Sequence, residues 1–139
     1  MPGEKETGFS EAEKAAMRER SKELRSRKEG KGLEDVLARI SEMTGTDREI
    51  AETVHRIVTE VAPDLQPKTW YGMPGYARDG KVVVFFQASA KFGTRYSTLG
   101  FNDVASLDDG DMWATAYAIT AVTPAVEKEI ARLVKKAAG

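Results

Sequence analysis

Apolar side chains recur at helical spacing towards both ends of the chain. They form one stripe in each of three segments, 33–43, 46–62 and 124–137. Residues three and four positions apart share one face of a helix, so these stripes predict three amphipathic helices. Residues 46–49 resemble a capping box, and Thr123-Pro124 is typical of the first residues of a helix.

The pattern changes at residue 68. Ten of the eleven aromatic residues lie between Trp70 and Tyr117, together with most of the β-branched runs, and this composition is typical of strands. Residues 72–75 are interpreted as a break, and Asp79-Gly80 predicts a tight hairpin with a type I′ turn. The predicted strands are 68–71, 76–78, 81–89, 94–101 and 112–119.

The run at residues 82–86 is apolar without alternation. Such a strand is expected at the centre of a sheet, with both faces covered. The second face therefore needs a cover. The first helix, a folded loop and the partner in a homodimer are the alternatives.

Residues 1–32 differ from the rest of the chain. They carry nine Lys or Arg and seven Asp or Glu, with few apolar side chains. Ser10 and Glu13 have the spacing of a capping box, which predicts the start of a helix. This segment is interpreted as a charged helical extension, either a solvated face or a contact surface for a partner, and residues 33–139 as one domain.

The order of these elements predicts an α+β fold. It comprises an antiparallel sheet of about five strands, with two to three amphipathic helices before the sheet and one after it. A length of 139 residues suits one domain with one core.

Composition and charge restrict the classes of function. The absence of cysteine excludes disulfides, thiolate metal sites and cysteine nucleophiles, and it fits a reducing compartment. The net charge of −1 gives no indication of nucleic-acid binding. The first residues lack the apolar core of a signal peptide, and no apolar stretch is long enough for a membrane span. We therefore expect a cytoplasmic protein with neither nucleic acid nor membrane as a partner.

Catalytic motifs are not visible in the sequence. There is no dinucleotide or phosphate-binding glycine motif, no HExxH and no nucleophile elbow. The only histidine, His55, lies at the edge of a helical stripe and is interpreted as structural or as a surface residue. No catalytic residue is assigned, and a non-catalytic binding domain is the leading hypothesis.

The most specific local feature is the segment 70–76, which reads WYGMPGY. Its glycines allow unusual backbone angles and its proline stiffens the break, so the segment is interpreted as a loop. Two alternatives stay open, a rigid corner whose aromatics fill the core and a loop that lines a ligand pocket. The pocket hypothesis assigns ligand-binding roles to Trp70, Tyr71, Met73, Pro74 and Tyr76.

Three further residues follow the predicted central strand, Lys91, Arg95 and Tyr96. Two cations beside an aromatic ring suit the binding of a carboxylate or phosphate. Basic residues beside a strand also protect a sheet edge from aggregation, which is the alternative. Under the pocket hypothesis these residues lie on the rim.

Four aspartates fall within nine positions, Asp103, Asp108, Asp109 and Asp111. Carboxylate oxygens are ligands for hard cations such as Mg²⁺ and Ca²⁺ and for weakly held iron. Loop aspartates more often form turns. No cofactor is expected on this basis, except for Fe²⁺ or another divalent cation if this loop binds metal.

The WYGMP run at 70–74, Tyr76, Gly80-Lys81, Lys91 and the strand end 99–101 form a pattern. With two amphipathic helices before it and one after, the pattern over residues 33–137 resembles the YdhG-like family of small bacterial proteins of unknown function. The resemblance implies an α+β fold with helices on an antiparallel sheet. It also implies an alternative function, because a frataxin-like role as an intracellular iron chaperone has been proposed for some members.

This sequence departs from the family pattern after Lys91. Many members have a histidine shortly after the matching lysine, where this chain has Phe92, Gly93 and Thr94. A third hypothesis does not depend on the family: a protein-interaction module in which the N-terminal helix binds a partner.

Overall fold

The computed structural model describes residues 10–28 and 31–139. Within them the fold is α+β, with helices before and after a five-stranded antiparallel sheet, which confirms the predicted class. The elements, in chain order, are α1 (Glu11–Lys28), α2 (Gly32–Ser41), α3 (Gly45–Val61), β1 (Gln66–Trp70), β2 (Met73–Arg78), β3 (Lys81–Gln87), α4 (Ser89–Phe92), β4 (Ser97–Phe101), β5 (Ala116–Ile119) and α5 (Pro124–Ala138).

The sheet is a simple meander in the order β1-β2-β3-β4-β5. The predicted hairpin at Asp79-Gly80 is confirmed. Both residues have positive φ, 53° and 79°, as a type I′ turn requires. The capping box of α1 is also confirmed, since the backbone N–H of Glu13 donates to Oγ of Ser10 at 3.0 Å and the Ser10 N–H donates to Glu13 at 2.8 Å.

The predicted break at 72–75 is wrong. The chain turns at Tyr71-Gly72 instead, with φ of 52° and 81°, and Trp70 pairs with Met73 to close a second two-residue hairpin. Pro74 lies inside β2 and pairs with Thr69 of β1. The pairing of β2 with β3 begins at Gly75, one residue after Pro74, so the missing N–H of Pro74 falls at the end of that ladder.

The central strand β3 contains a β-bulge. Tyr76 pairs with Val84 but Ala77 pairs with Val82, so Val83 has no partner on β2. An extra residue shifts the side-chain alternation by one position. Val83 and Val84 consequently both belong to the core, which explains why this run shows no alternation.

The core lies between one face of the sheet and helices α2, α3 and α5. Its largest fully buried side chains include Tyr76, Phe86, Leu99 and Ile50. The first turn of α5 is capped as expected, because Oγ1 of Thr123 accepts from the N–H of Val126 at 3.1 Å. These contacts fix the sheet against the helices that frame the site.

The other face of the sheet is organised around Phe85. Its cross-strand partners are Gly75 on β2 and Gly100 on β4, and its ring lies 4.9 Å from that of Trp70. Aromatic rings commonly cover glycines on neighbouring strands. Both rings are half-buried. Helix α1 lies against β1 and α2, so the N-terminal helix reaches this end of the sheet.

Several predicted boundaries of helices and strands are wrong. The predicted third strand extends to residue 89, but β3 ends at Gln87 and the short helix α4 follows it. The residue after α4, Gly93, has φ of 67° and ends the helix. Residues 94–96 and 112–115 lie outside the strands. Helix α3 starts at Gly45 rather than at Thr46, after the N-cap Thr44. Residues 46–49 therefore do not form its capping box. Among the described residues, no helix is both long enough and apolar enough to span a bilayer.

Candidate functional site

A groove opens where the end of α2, the start of α3, the β1–β2 turn and α4 meet. Its volume is about 340 Å³. We call it the α2–α4 groove. It is lined by Arg39, Glu42, Met43, Thr44, Asp47, Gly72, Ala88, Ala90 and Lys91.

Asp47 forms the fixed wall of the α2–α4 groove. Its Oδ1 accepts from the hydroxyls of Ser89 at 2.8 Å and Ser97 at 2.7 Å, and its Oδ2 accepts from the N–H of Ala90 at 3.0 Å. Burial would raise the pKa of Asp47, but the hydrogen bonds from Ser97, Ala90 and Ser89 outweigh that effect and hold the pKa below its usual value. The aspartate is therefore an ionised clamp that joins α3 to α4 and β4.

Lys91 also lines the groove. Its Nζ donates to the carbonyl oxygen of Gly72 at 3.1 Å and to Oε1 of Glu19 in α1 at 2.8 Å. The ammonium group is thus held over the β1–β2 turn. Its side chain is 33% exposed, so it can still contact a ligand in the groove.

Arg39 and Glu42 also line the α2–α4 groove. The guanidinium group binds the carboxylate in a bidentate pair, through Nε at 3.0 Å and Nη2 at 2.6 Å. Both residues come from the last turn of α2 and the residue that follows it. The bidentate geometry fixes the position of both side chains relative to each other.

The five residues assigned to the 70–76 loop do not form a pocket together. In the hairpin, Met73, Pro74 and Tyr76 are buried, whereas Trp70 is half-buried beside Phe85 and Tyr71 is 39% exposed at the turn. None of them lines the α2–α4 groove. The backbone of the segment nevertheless contributes, because its turn residue Gly72 does.

The three predicted rim residues separate in the same way. Lys91 lines the groove, but Arg95 and Tyr96 do not. Instead the guanidinium carbon of Arg95 lies 5.1 Å from the centre of the Tyr96 ring, and both residues are exposed after α4. Lys91 belongs to α4, whereas the other two residues follow the end of that helix.

The four aspartates of the acidic loop are exposed and are divided between two other depressions. Asp103 and Asp108 line one and Asp109 lines the other, while Asp111 lines neither. In the part of the chain that the structure describes, no group of three or more acidic or histidine side chains is placed to hold a metal ion. The metal hypothesis for this loop stays a prediction.

His55 is bound to a core residue. Its Nδ1 and the hydroxyl of Tyr76 form a hydrogen bond of 2.9 Å. Burial lowers the pKa of His55 and raises that of Tyr76, so both are neutral near pH 7. The structural interpretation of this histidine is supported by its contact, since His55 lies outside the α2–α4 groove.

Comparisons with protein-family models, with curated proteins and with solved structures find no match to this chain. The resemblance to the YdhG-like family accordingly remains a prediction based on the residues that suggested it.

Sequence reasoning missed most of the groove. Arg39 and Glu42 were not singled out in the sequence, and Asp47 was interpreted only as part of the capping box at residues 46–49. The actual partners of Asp47 are 42 and 50 residues away in sequence, and nothing local indicates them.

Proposed function

We propose that this protein is a cytoplasmic, non-catalytic domain that binds a small molecule in the α2–α4 groove. The observation that carries the proposal is that two fixed charged groups line the same groove, Lys91 over the β1–β2 turn and the Asp47 clamp. Pre-positioned polar groups in a concave site give a ligand its orientation without a large ordering cost.

Binding is favoured over catalysis by where the titratable groups lie. His55, the only histidine, is hydrogen-bonded to Tyr76 and does not line the groove. Asp47, with three donors on its carboxylate and a lowered pKa, is a poor general base. The groups that line the groove are therefore suited to holding a ligand rather than to transferring its protons. The absence of cysteine supports the cytoplasmic assignment.

The test is a backbone-amide NMR titration with mixtures of anionic, neutral and cationic metabolites. A ligand of the groove should shift the amides of Gly72, Ala90 and Lys91. Lys91→Met should weaken that ligand by about fivefold, as expected when an interaction of roughly 1 kcal/mol is lost.

Lys135→Met is the matched control, because Lys135 is exposed in the last turn of α5 and the change removes the same charge. It should leave the affinity unchanged. If no metabolite shifts the groove amides, or if both lysine variants weaken binding equally, the proposed function is wrong.

A further inference from the structure

The charge on Lys91 is balanced from outside the groove. Its carboxylate partner Glu19 belongs to α1, and the ion pair joins Nζ to Oε1 at 2.8 Å. Glu19 is the more buried member, with 17% of its side chain exposed. A carboxylate on the N-terminal extension thus sits on the cation that lines the site.

The other charged groups that line the groove have their described partners outside α1. Arg39 forms its bidentate pair with Glu42, and Asp47 accepts three hydrogen bonds. Of the two cations that line the groove, only Lys91 takes its described carboxylate partner from another part of the chain. If α1 moves away, Lys91 loses its carboxylate partner, and the carboxylate of a ligand can take its place.

The shape of the turn leaves room for a carboxylate at this point. A methyl group placed on Gly72 would lie 2.5 Å from Oε2 of Glu19 and 2.5 Å from Nζ of Lys91. The absence of a side chain at Gly72 therefore lets the carboxylate and the ammonium group meet directly over the turn. A ligand carboxylate would reach Lys91 in the same space once Glu19 has left it.

In residues 11–21 of helix α1, whose side chains the structure describes, little apolar surface is buried, and Met17 is 50% exposed. Two contacts of this part near the turn are the Glu19–Lys91 pair and the guanidinium of Arg20, 5.4 Å from the centre of the Tyr71 ring. Partly exposed ion pairs contribute little to stability, because solvent screens them and two long side chains must be ordered. A ligand with the same charged group can compete with a contact of this strength.

We propose that Glu19 is a tethered competitor, and that the ligand of the α2–α4 groove is a small carboxylate whose charged end replaces the Glu19 side chain on Lys91. The inference rests on the proposed function, because it names the ligand class and the regulation of that site. Binding of the carboxylate and docking of the Glu19 region of α1 then exclude each other. The apparent affinity falls by the fraction of molecules in which Lys91 is covered.

The probe is propionate, which has the terminal atoms of a glutamate side chain. Propionamide serves as its neutral counterpart and inorganic phosphate as another anion. Each is titrated into the full-length wild type and Glu19→Gln, and the amides of Gly72 and Lys91 are followed by NMR. The control variant Glu11→Gln removes the same charge from the same helix, at a side chain that is 89% exposed.

Glu19→Gln should bind propionate more tightly than wild type by up to about fivefold, the equivalent of removing a competing contact of about 1 kcal/mol. Glu11→Gln should match wild type. Propionate should also move the amide signals of residues 16–20 in wild type, because Glu19 leaves Lys91. Propionamide should cause none of these changes.

Equal propionate affinities in wild type and Glu19→Gln would overturn the inference while leaving the proposed function standing. The same holds if propionate leaves the groove amides of Glu19→Gln unshifted while the metabolite screen finds a neutral or cationic ligand there. Tighter binding of phosphate than of propionate to Glu19→Gln would overturn the carboxylate assignment. If the screen and all three probes leave the groove amides unshifted, the proposed function itself has failed.

Discussion

Gly100 is required by the ring of Phe85 on the neighbouring strand. A β-carbon at Gly100 would lie 2.2 Å from Cζ of Phe85, well inside contact distance. Because the sheet fixes both backbones, the ring would have to leave its position beside Trp70. The glycine is thus explained by packing on the outer face of the sheet rather than by a turn.

Gly100→Ala should therefore destabilise the protein by about 1–3 kcal/mol, the usual cost of overpacking. Urea unfolding measures the loss. In a Phe85→Ala background the same substitution should cost much less, because the clashing ring is gone. Equal costs in both backgrounds would show that the ring is not the cause.

His55 gives the fold a dependence on pH near neutrality. Burial lowers its pKa below the ordinary 6.5, so the unfolded chain takes up the proton first as the pH falls. The contribution of neutral His55 is fully present above pH 6.5 and is lost as the pH falls from there towards the lower pKa of the folded state.

The difference in unfolding free energy between wild type and His55→Gln should therefore shrink between pH 8 and pH 5. Comparing the two proteins cancels the titration of groups that both contain. A difference that stays constant with pH would contradict a lowered pKa for His55.

At the scale of elements, the helix α4 is held mainly through Asp47. One carboxylate joins Ser89 and Ala90 of α4 to Ser97 at the start of β4 and to α3. Asp47→Asn keeps one acceptor but loses the charge, and should cost about 1–3 kcal/mol in urea unfolding. Asp103→Asn, at an exposed position, should change stability by less than about 0.5 kcal/mol.

The Asp47 effect should itself depend on pH. The folded-state pKa is lowered, so the advantage of Asp over Asn is full above the ordinary value of 3.8 and disappears as the pH falls through the folded-state pKa. A difference between the two proteins that persists after full protonation would indicate that the geometry of the side chain, not its charge, stabilises this junction.

The two hairpin turns show which elements could be read from the sequence. Asp79-Gly80 was recognised because aspartate and glycine both tolerate positive φ. Tyr71-Gly72 adopts the same turn, but a tyrosine with φ of 52° is rare and gives no such signal. Met73, Pro74 and Gly75, which follow it, were therefore interpreted as a break, although they form the first residues of β2.

The same limit applies to the groove. Apolar periodicity predicted α2, α3 and α5, and the aromatic run predicted the sheet, because both signals are local. The groove depends on contacts between residues far apart in sequence, such as Asp47 with Ser97 and Lys91 with Glu19. Of the eight residues assigned to ligand binding, only Lys91 lines it.

At the scale of the whole molecule, the acidic loop tests the metal hypothesis. Its aspartates are exposed and do not converge, so we expect no saturable heat in Fe²⁺ calorimetry under anaerobic conditions. A protein with Asp108, Asp109 and Asp111 changed to Asn should give the same heats as wild type. Saturable binding that the triple variant loses would restore the iron-carrier hypothesis.

The molecule should also divide into two parts of unequal stability. Helices α3 and α5 pack against the central strands through fully buried residues such as Val54 and Val134, whereas α1 attaches to β1 and α2 with Met17 half exposed. Segments with few buried apolar contacts open with free energies well below that of global unfolding. Residues 11–21 should therefore exchange their amide hydrogens much faster than the amides of α3 and α5.

Substitution at the contact between the two parts separates local from global opening. Glu19→Gln removes the ion pair to Lys91, so it should speed exchange in α1 by up to about fivefold, the equivalent of roughly 1 kcal/mol. Amides that exchange only by global unfolding, in α3 and α5, should be unaffected beyond the small change in total stability. If α1 and α5 instead exchange at the same rate and respond equally to Glu19→Gln, α1 is part of the cooperative core and cannot leave Lys91 without unfolding the domain.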